Sequence, residues 1–109
     1  MTKVELFSKD LQKISGVFKA LGHPARLAIL QYLAETRVCI SGDISNEIPL
    51  SRTTVSQHLN ELKEVNLIQG EIEGVKKNYC LNAKEISRIK DMLDSFLIKI
   101  ECIDNQNCQ

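Results

Sequence analysis

Apolar residues near the N-terminus recur at Val4, Phe7, Leu11, Ile14, Phe18 and Leu21, in steps of three and four. That spacing lays one narrow apolar stripe along a helix. Gly22 offers a stop and Pro24 suits the first position of a new helix, so GHPARLAILQYLAE predicts a second one. Leu27, Leu30 and Leu33 would follow its inward side, widened by Ile29. A short third helix is expected from Ser41 or Gly42 through Ile48, its first turn favoured by Asp43. Pro49 cannot continue it, and Ser51 is a good N-cap for the helix that begins SRTTVSQHLNEL. About three residues then link the two helices, the length a helix-turn-helix needs.

After Val65 the period shortens. NLIQGEIEGVKKNYCLN alternates apolar and polar residues (Leu67, Ile68, Ile72, then Val75, Tyr79, Leu81) around Gly74, which predicts a β-hairpin with Lys76 and Lys77 at its tip. A long helix over roughly 83–103 closes the pattern, with Ile86, Ile89, Leu93, Phe96, Ile100 and Ile103 again three and four apart. The polar tail DNQNCQ is expected to fray. The fold class is therefore mainly α with a small β-hairpin: four helices, two strands and a fifth helix in order.

The fourth helix carries the most informative surface. With Val55, Leu59 and Leu62 turned inward, Thr53, Gln57 and Asn60 fall on the far side, with Thr54 and Ser56 on its flanks and Arg52 and His58 at its borders. An ordinary solvated face would carry more Lys and Glu. Gln and Asn can pair bidentately with adenine, Arg with guanine, and hydroxyls with bases or phosphates. The expected DNA-binding set is Ser51, Arg52, Thr53, Thr54, Ser56, Gln57, His58 and Asn60, with packing or phosphate contact as open as base reading for His58. Lys76 and Lys77 join it: charged residues suit an exposed turn, but ammonium groups at a projecting hairpin tip can also meet phosphate.

Charge limits this picture. Lys+Arg and Asp+Glu both number 14, so no basic tail grips nucleic acid indiscriminately, and binding must come from local placement. At 109 residues, 43% hydrophobic, the chain is expected to form one domain over 1–109, with a DNA-binding core at about 22–82 and dimerisation helices at about 4–21 and 83–103. One small core leaves little room for both outer stripes, so Phe7, Leu11, Ile14, Phe18, Ile89, Leu93, Phe96 and Ile100 are expected to bury against a second copy. A two-fold dimer would read an inverted repeat.

No apolar run approaches the roughly 20 residues that span a membrane, and MTKVELFSKD lacks the order of a secretory signal, so the cytosol is the expected compartment. Cys39, Cys80, Cys102 and Cys108 include no Cys-x-x-Cys pair, and a cytosolic chain keeps thiols reduced. Free thiols are expected, with Cys80 packed in the hairpin. A catalytic function is not expected: there is no Gly-rich phosphate loop, no His-x-x-x-His pair and no triad partner for either histidine.

ALGHPARLAILQYL, followed by DISNEIPLSRTTVSQHLNELKEVNLIQGEIEGVKKNYCLN, resembles the arsenic-repressor (ArsR/SmtB-type) family of winged helix-turn-helix regulators over roughly residues 15–82. The resemblance implies a winged helix-turn-helix fold for this pattern of elements, and a homodimeric, cytosolic transcriptional repressor that binds double-stranded operator DNA and is released by a small effector. It also raises metalloid sensing. RVCISGDIS is similar to the segment where arsenic- and antimony-responsive members place a Cys-x-Cys pair; Cys39 matches and Ser41 departs. A trivalent arsenic or antimony site would then need Cys102 or Cys108, since a hydroxyl is a poor substitute for a thiolate. The zinc site of some relatives, with its histidine in the last helix, has no counterpart, because His23 and His58 are the two histidines; Asp91 and Asp94 alone are a weak remnant, read first as solvated charges. Thiol oxidation or persulfide sensing through Cys39 and a C-terminal cysteine, and no cysteine-based sensing at all, stay open beside metalloid sensing. A protein-binding winged helix without DNA affinity is the alternative function.

Overall fold

The computed structural model describes residues 3–36, 39–41, 48–71 and 78–102. A short 3-10 turn, Lys3–Leu6, precedes α1 (Lys9–Leu21) and α2 (Pro24–Thr36). Strand β1 (Cys39–Ser41) leads to α3 (Arg52–Glu64), β2 (Ile68–Glu71), β3 (Asn78–Leu81) and the long α4 (Ala83–Glu101).

Local chemistry sets the boundaries. The N-terminal stripe does not form one helix from Val4: Ser8 takes an extended conformation and its Oγ accepts from the Leu11 N–H at 3.2 Å, so α1 starts at Lys9. His23 caps α2, its carbonyl accepting from Arg26 and Leu27 and its Nδ1 from the Ala25 N–H at 3.0 Å. Pro24, with no N–H to satisfy, follows at the first helical position. The inward side of α2 is Ile29 and Leu33, both fully buried, whereas Leu27 is half exposed. Steps of four follow one helix face more closely than repeated steps of three.

Helix α3 ends in a left-handed residue, Asn66 at φ 65°. The Asn66 N–H donates to the Lys63 carbonyl and the Leu67 N–H to the Leu62 carbonyl, the two bonds that close a helix C-terminus while Leu62 and Leu67 bury together. The chain thereby turns sharply into β2. Ser41, expected to open a helix, lies instead in β1. The remainder of the expected third helix, at 42–47, the hairpin tip at 72–77 and the tail beyond Cys102 fall outside the described residues.

The expected hairpin is present as the antiparallel pair β2 and β3, and among the described residues β1 joins it as a third antiparallel strand, in the order β1-β3-β2. A three-residue strand is too short to betray itself by alternation. Gly70 permits the sheet's tightest approach: its φ is +124°, and a Cβ there would strike the Asn78 carbonyl oxygen and sit 2.8 Å from the Tyr79 Cα. The core gathers between helices and sheet, where Val17, Ile29, Leu33, Leu59, Leu62 and Tyr79 are each at most 1% exposed. Lys13 of α1 ties α4 to this core through a 2.8 Å ion pair with buried Glu85, which Arg88 also approaches. That ammonium group holds the Glu85 carboxyl below the usual carboxylate range, against the opposing effect of burial.

The cysteines depart from the expected free thiols. Cys39 of β1 and Cys80 of β3 are register partners, with Cα atoms 3.9 Å apart, and are joined as a disulfide. Sequence spacing alone conceals the pair, because 41 positions separate residues that strand pairing sets face to face. Cys80 is thus cross-linked rather than simply packed. Cys102, which caps α4, is disulfide-bonded as well. Among the described residues, no helix is long and apolar enough to cross a membrane.

Candidate nucleic-acid interface

Helix α3 sits on the core through Val55, Leu59 and Leu62 and turns its other side outward. Ser51 begins that surface. Its Oγ accepts from the Thr54 N–H at 3.3 Å and lies 3.0 Å from the Thr54 hydroxyl, a closed cap that orients the first turn. Ser51, Arg52, Thr53 and Gln57 are exposed; Thr54, Ser56 and Asn60 are half-buried at the edges. An outward strip without carboxylates thus runs from Ser51 to Gln57, suited to hydrogen bonds with base edges. Lys76 and Lys77 lie outside the described residues.

His58 departs from this strip. It is 8% exposed and faces α2, where its Nδ1 accepts from Arg26 Nε at 3.0 Å and its ring lies 4.4 Å from that of His23. Burial, followed by the charges of His23 and Arg26, pushes its pKa below the ordinary histidine value, with Glu61 opposing. A neutral imidazole that accepts at Nδ1 carries its proton on Nε2. His58 therefore positions α3 from behind.

Periodicity assigns Arg26 no separate role, yet it joins three helices. Besides the bond to His58, its Nη1 lies 3.2 Å from the carbonyl oxygens of Lys19 and Ala20 at the end of α1. The signal was present in the Gly-His-Pro-Ala-Arg junction, whose polar residues interrupt an otherwise apolar boundary. Lys63 does comparable work at the other end of α3, donating to the Gly70 carbonyl at 2.8 Å and holding β2 against the helix.

The proposed dimer residues divide. Phe7, Leu11, Phe18 and Ile100 are 60%, 45%, 44% and 58% exposed, and Leu93 and Phe96 are half-buried. Ile14 and Ile89 belong instead to the protomer's own interior, at 7% and 4% exposed. Phe18 and Phe96 meet edge to face at 6.5 Å, so α1 and α4 form one continuous apolar surface. An apolar groove of about 370 Å³ opens there between Val4, Phe7, Leu11 and Phe96.

Among the described residues, the expected metalloid ligands are not assembled. Cys39 is bonded to Cys80, Cys102 is engaged in a disulfide, and Cys108 lies outside the described residues. Among the described residues, no group of three His, Cys, Asp or Glu side chains is placed to hold a metal ion. As arranged, the donor set does not fit a site of about three thiolates.

Comparison with known proteins places this geometry. A family model described as a helix-turn-helix domain matches residues 21–71. The chain is 35% identical to an uncharacterized HTH-type transcriptional regulator of Methanocaldococcus jannaschii, over 75% of this chain and 96% of that protein. It is 34% identical to the arsenical resistance operon repressor of Bacillus subtilis, over 79% of this chain and 78% of that protein. With the cadmium resistance transcriptional regulatory protein CadC of Listeria innocua it shares 32% identity, over 83% and 76%. Among solved structures, an ArsR-like transcriptional regulator from Rhodococcus sp. RHA1 has the same fold, with a TM-score of 0.68 at 21% identity, covering 86% of this chain and 88% of that one.

Proposed function

Since the chain belongs to the ArsR/SmtB-type helix-turn-helix transcriptional regulators, we propose that it is a homodimeric repressor, working in the cytoplasm, that reads an inverted-repeat operator with α3. The observation that carries this reading is the outward face of α3. Arg52, Thr53 and Gln57 project from a helix whose opposite side is locked into the core. Such a face offers guanine, hydroxyl and adenine readers in the first two turns, where a recognition helix meets bases. Thr54, Ser56 and Asn60 flank them, and Ser51 caps the helix end toward a phosphate. Lys76 and Lys77 of the wing supply further phosphate contacts in this proposal.

The surface of α1 and α4 supports the dimer in this proposal. Exposed Phe7, Leu11, Phe18 and Ile100 make an apolar area that is costly to leave in water at about 25 cal/mol per Å². In this reading the domain extends over the whole chain, with residues 22–82 reading DNA and the outer helices pairing the protomers. Two protomers related by a two-fold axis would place their α3 helices about one turn of DNA apart. The function is regulatory binding, with no catalytic step.

Relatives named for cadmium and arsenical resistance bring metal-responsive release to this chain as an idea. Trivalent arsenic or antimony on Cys39, Cys102 and Cys108 would require those cysteines reduced and brought together, so no release step is derived through a metalloid.

The test is fluorescence anisotropy on duplex from the protein's own upstream region against a scrambled duplex. Tight, sequence-dependent binding is expected. Equal weak binding to both duplexes, with an intact dimer, would redirect the fold to protein docking.

A further inference from the structure

We propose that Cys39 and Cys80 are a reversible dithiol–disulfide site, oxidised by low-molecular-weight disulfides, and that its closure holds the protein in its DNA-reading form. This rests on the DNA-reading function proposed above and adds the signal to which it responds. The pair differs from the Cys39 and C-terminal cysteine combination considered from sequence.

Placement is the first argument. Cys39 and Cys80 are opposed across β1 and β3, so the same backbone pairing that forms the sheet brings the two sulfur atoms together. Cys39 is exposed on a three-residue strand at the sheet edge, and Cys80 is half-buried. Small thiols can therefore reach the bond from the Cys39 side. Exposed disulfides are the labile ones, and a disulfide in a cytosolic chain is more often a sensor than a staple.

Topology is the second. The bond spans 41 positions and closes a loop that contains the whole of α3, β2 and the connection to β3. Every residue proposed to touch DNA lies inside it. One end of the bond fixes the segment that follows α2, and the other fixes the strand on the return side of the wing. Without the covalent bond, β1 is a strand well below the usual length of about five residues. Reduction lets that edge separate from β3, so the packing of α3 against the three-stranded sheet is populated less. Affinity falls by the fraction of molecules that leave it.

The chemistry closes with a small disulfide as oxidant. The Cys39 thiolate attacks one sulfur of the small disulfide, forming a mixed disulfide and expelling one thiolate. The Cys80 thiolate then attacks Cys39 Sγ, forming the Cys39–Cys80 bond and expelling the second. The two protons lost from the protein thiols end on the two expelled thiolates, so one small disulfide is reduced to two thiols as the protein pair is oxidised. Excess small thiol reverses both steps.

The full chain carrying Cys102→Ser and Cys108→Ser isolates the pair. It is equilibrated in oxidised or reduced glutathione, its thiol state is read by alkylation and peptide mass, and its affinity for the upstream duplex is measured by anisotropy. The disulfide should form and open with the buffer, and reduction should weaken specific binding by about fivefold or more, the usual scale of coupling between sites. Cys39→Ser in the same background should bind like the reduced protein in either buffer. A pair that stays oxidised or stays reduced in both buffers would overturn the proposal, as would equal affinity in the two states or tighter binding when reduced. Equal, tight and specific binding would leave the repressor intact. Lack of specific binding in both states would instead overturn the DNA-reading function, and the gating with it.

Discussion

Arg26 Nε donates a hydrogen bond to His58 Nδ1 across 3.0 Å, while Nη1 of the same guanidinium lies against the last carbonyls of α1. One side chain thereby fixes the orientation of α3 relative to both helices behind it. Replacing Arg26 with Ala removes these bonds and leaves His58 buried without its partner. The expected loss is about 2 kcal/mol of unfolding free energy, from hydrogen bonds to a charged group. Urea denaturation measures it, and a change below the scatter of surface substitutions would show that the three bonds carry little.

Stability should also follow the protonation of His58. An unfolded histidine titrates near 6.5, whereas His58 in the folded chain titrates lower because it is buried beside His23 and Arg26. Between those values the unfolded chain holds a proton that the folded chain does not. The contribution is therefore complete above about pH 6.5 and declines as pH falls from there to the lowered value, below which both states are protonated. Denaturation curves across this range should show the decline, and His58→Gln should flatten it. An unchanged slope in the variant would assign the effect to other groups.

Gly70→Ala tests the close approach of β2 and β3. The added methyl would meet backbone, the Asn78 carbonyl and Tyr79 Cα, at a φ that side chains rarely adopt. A loss of about 2–4 kcal/mol is expected. A thermal midpoint equal to the parent's would mean that the sheet relaxes freely at this point.

On the operator, Gln57→Ala should cost about 1–3 kcal/mol and relax preference at one base position in each half-site, the effect of losing a bidentate base contact. Its selectivity separates it from Lys76→Ala, which should weaken all sequences alike and lower the salt slope by about one. A uniform loss from Gln57→Ala would place that residue on phosphate.

Phe18→Glu tests the α1 and α4 surface. Phe18 is 44% exposed and touches Phe96 at the ring edge, so the protomer can carry a carboxylate there in solvent while a subunit interface cannot. Sedimentation should find a dimeric parent and a monomeric variant. Operator affinity should then drop by about a hundredfold as the two half-site contacts cease to be linked. A variant that still sediments as a dimer would move the interface elsewhere.

The sequence by itself determined the elements whose signals are local. Steps of three and four predict α1, α2 and α4, because one helix face must be apolar to reach a core. Ser51 marks the start of α3, and the change of period after Val65 marks the sheet, since a cap and an alternation each act over a few residues. The strip of Thr53 and Gln57 was legible for the same reason: Val55, Leu59 and Leu62 declare the buried side of one helix, and the wheel supplies the other. Tertiary structure alone decided what depends on residues far apart. It turned His58 inward to Arg26, withdrew Ile14 and Ile89 from the exposed stripes, added β1 to the sheet and joined Cys39 to Cys80. Periodicity along one segment specifies which way a side chain faces but not what lies opposite, and strand register across 41 positions leaves no local trace for it to follow.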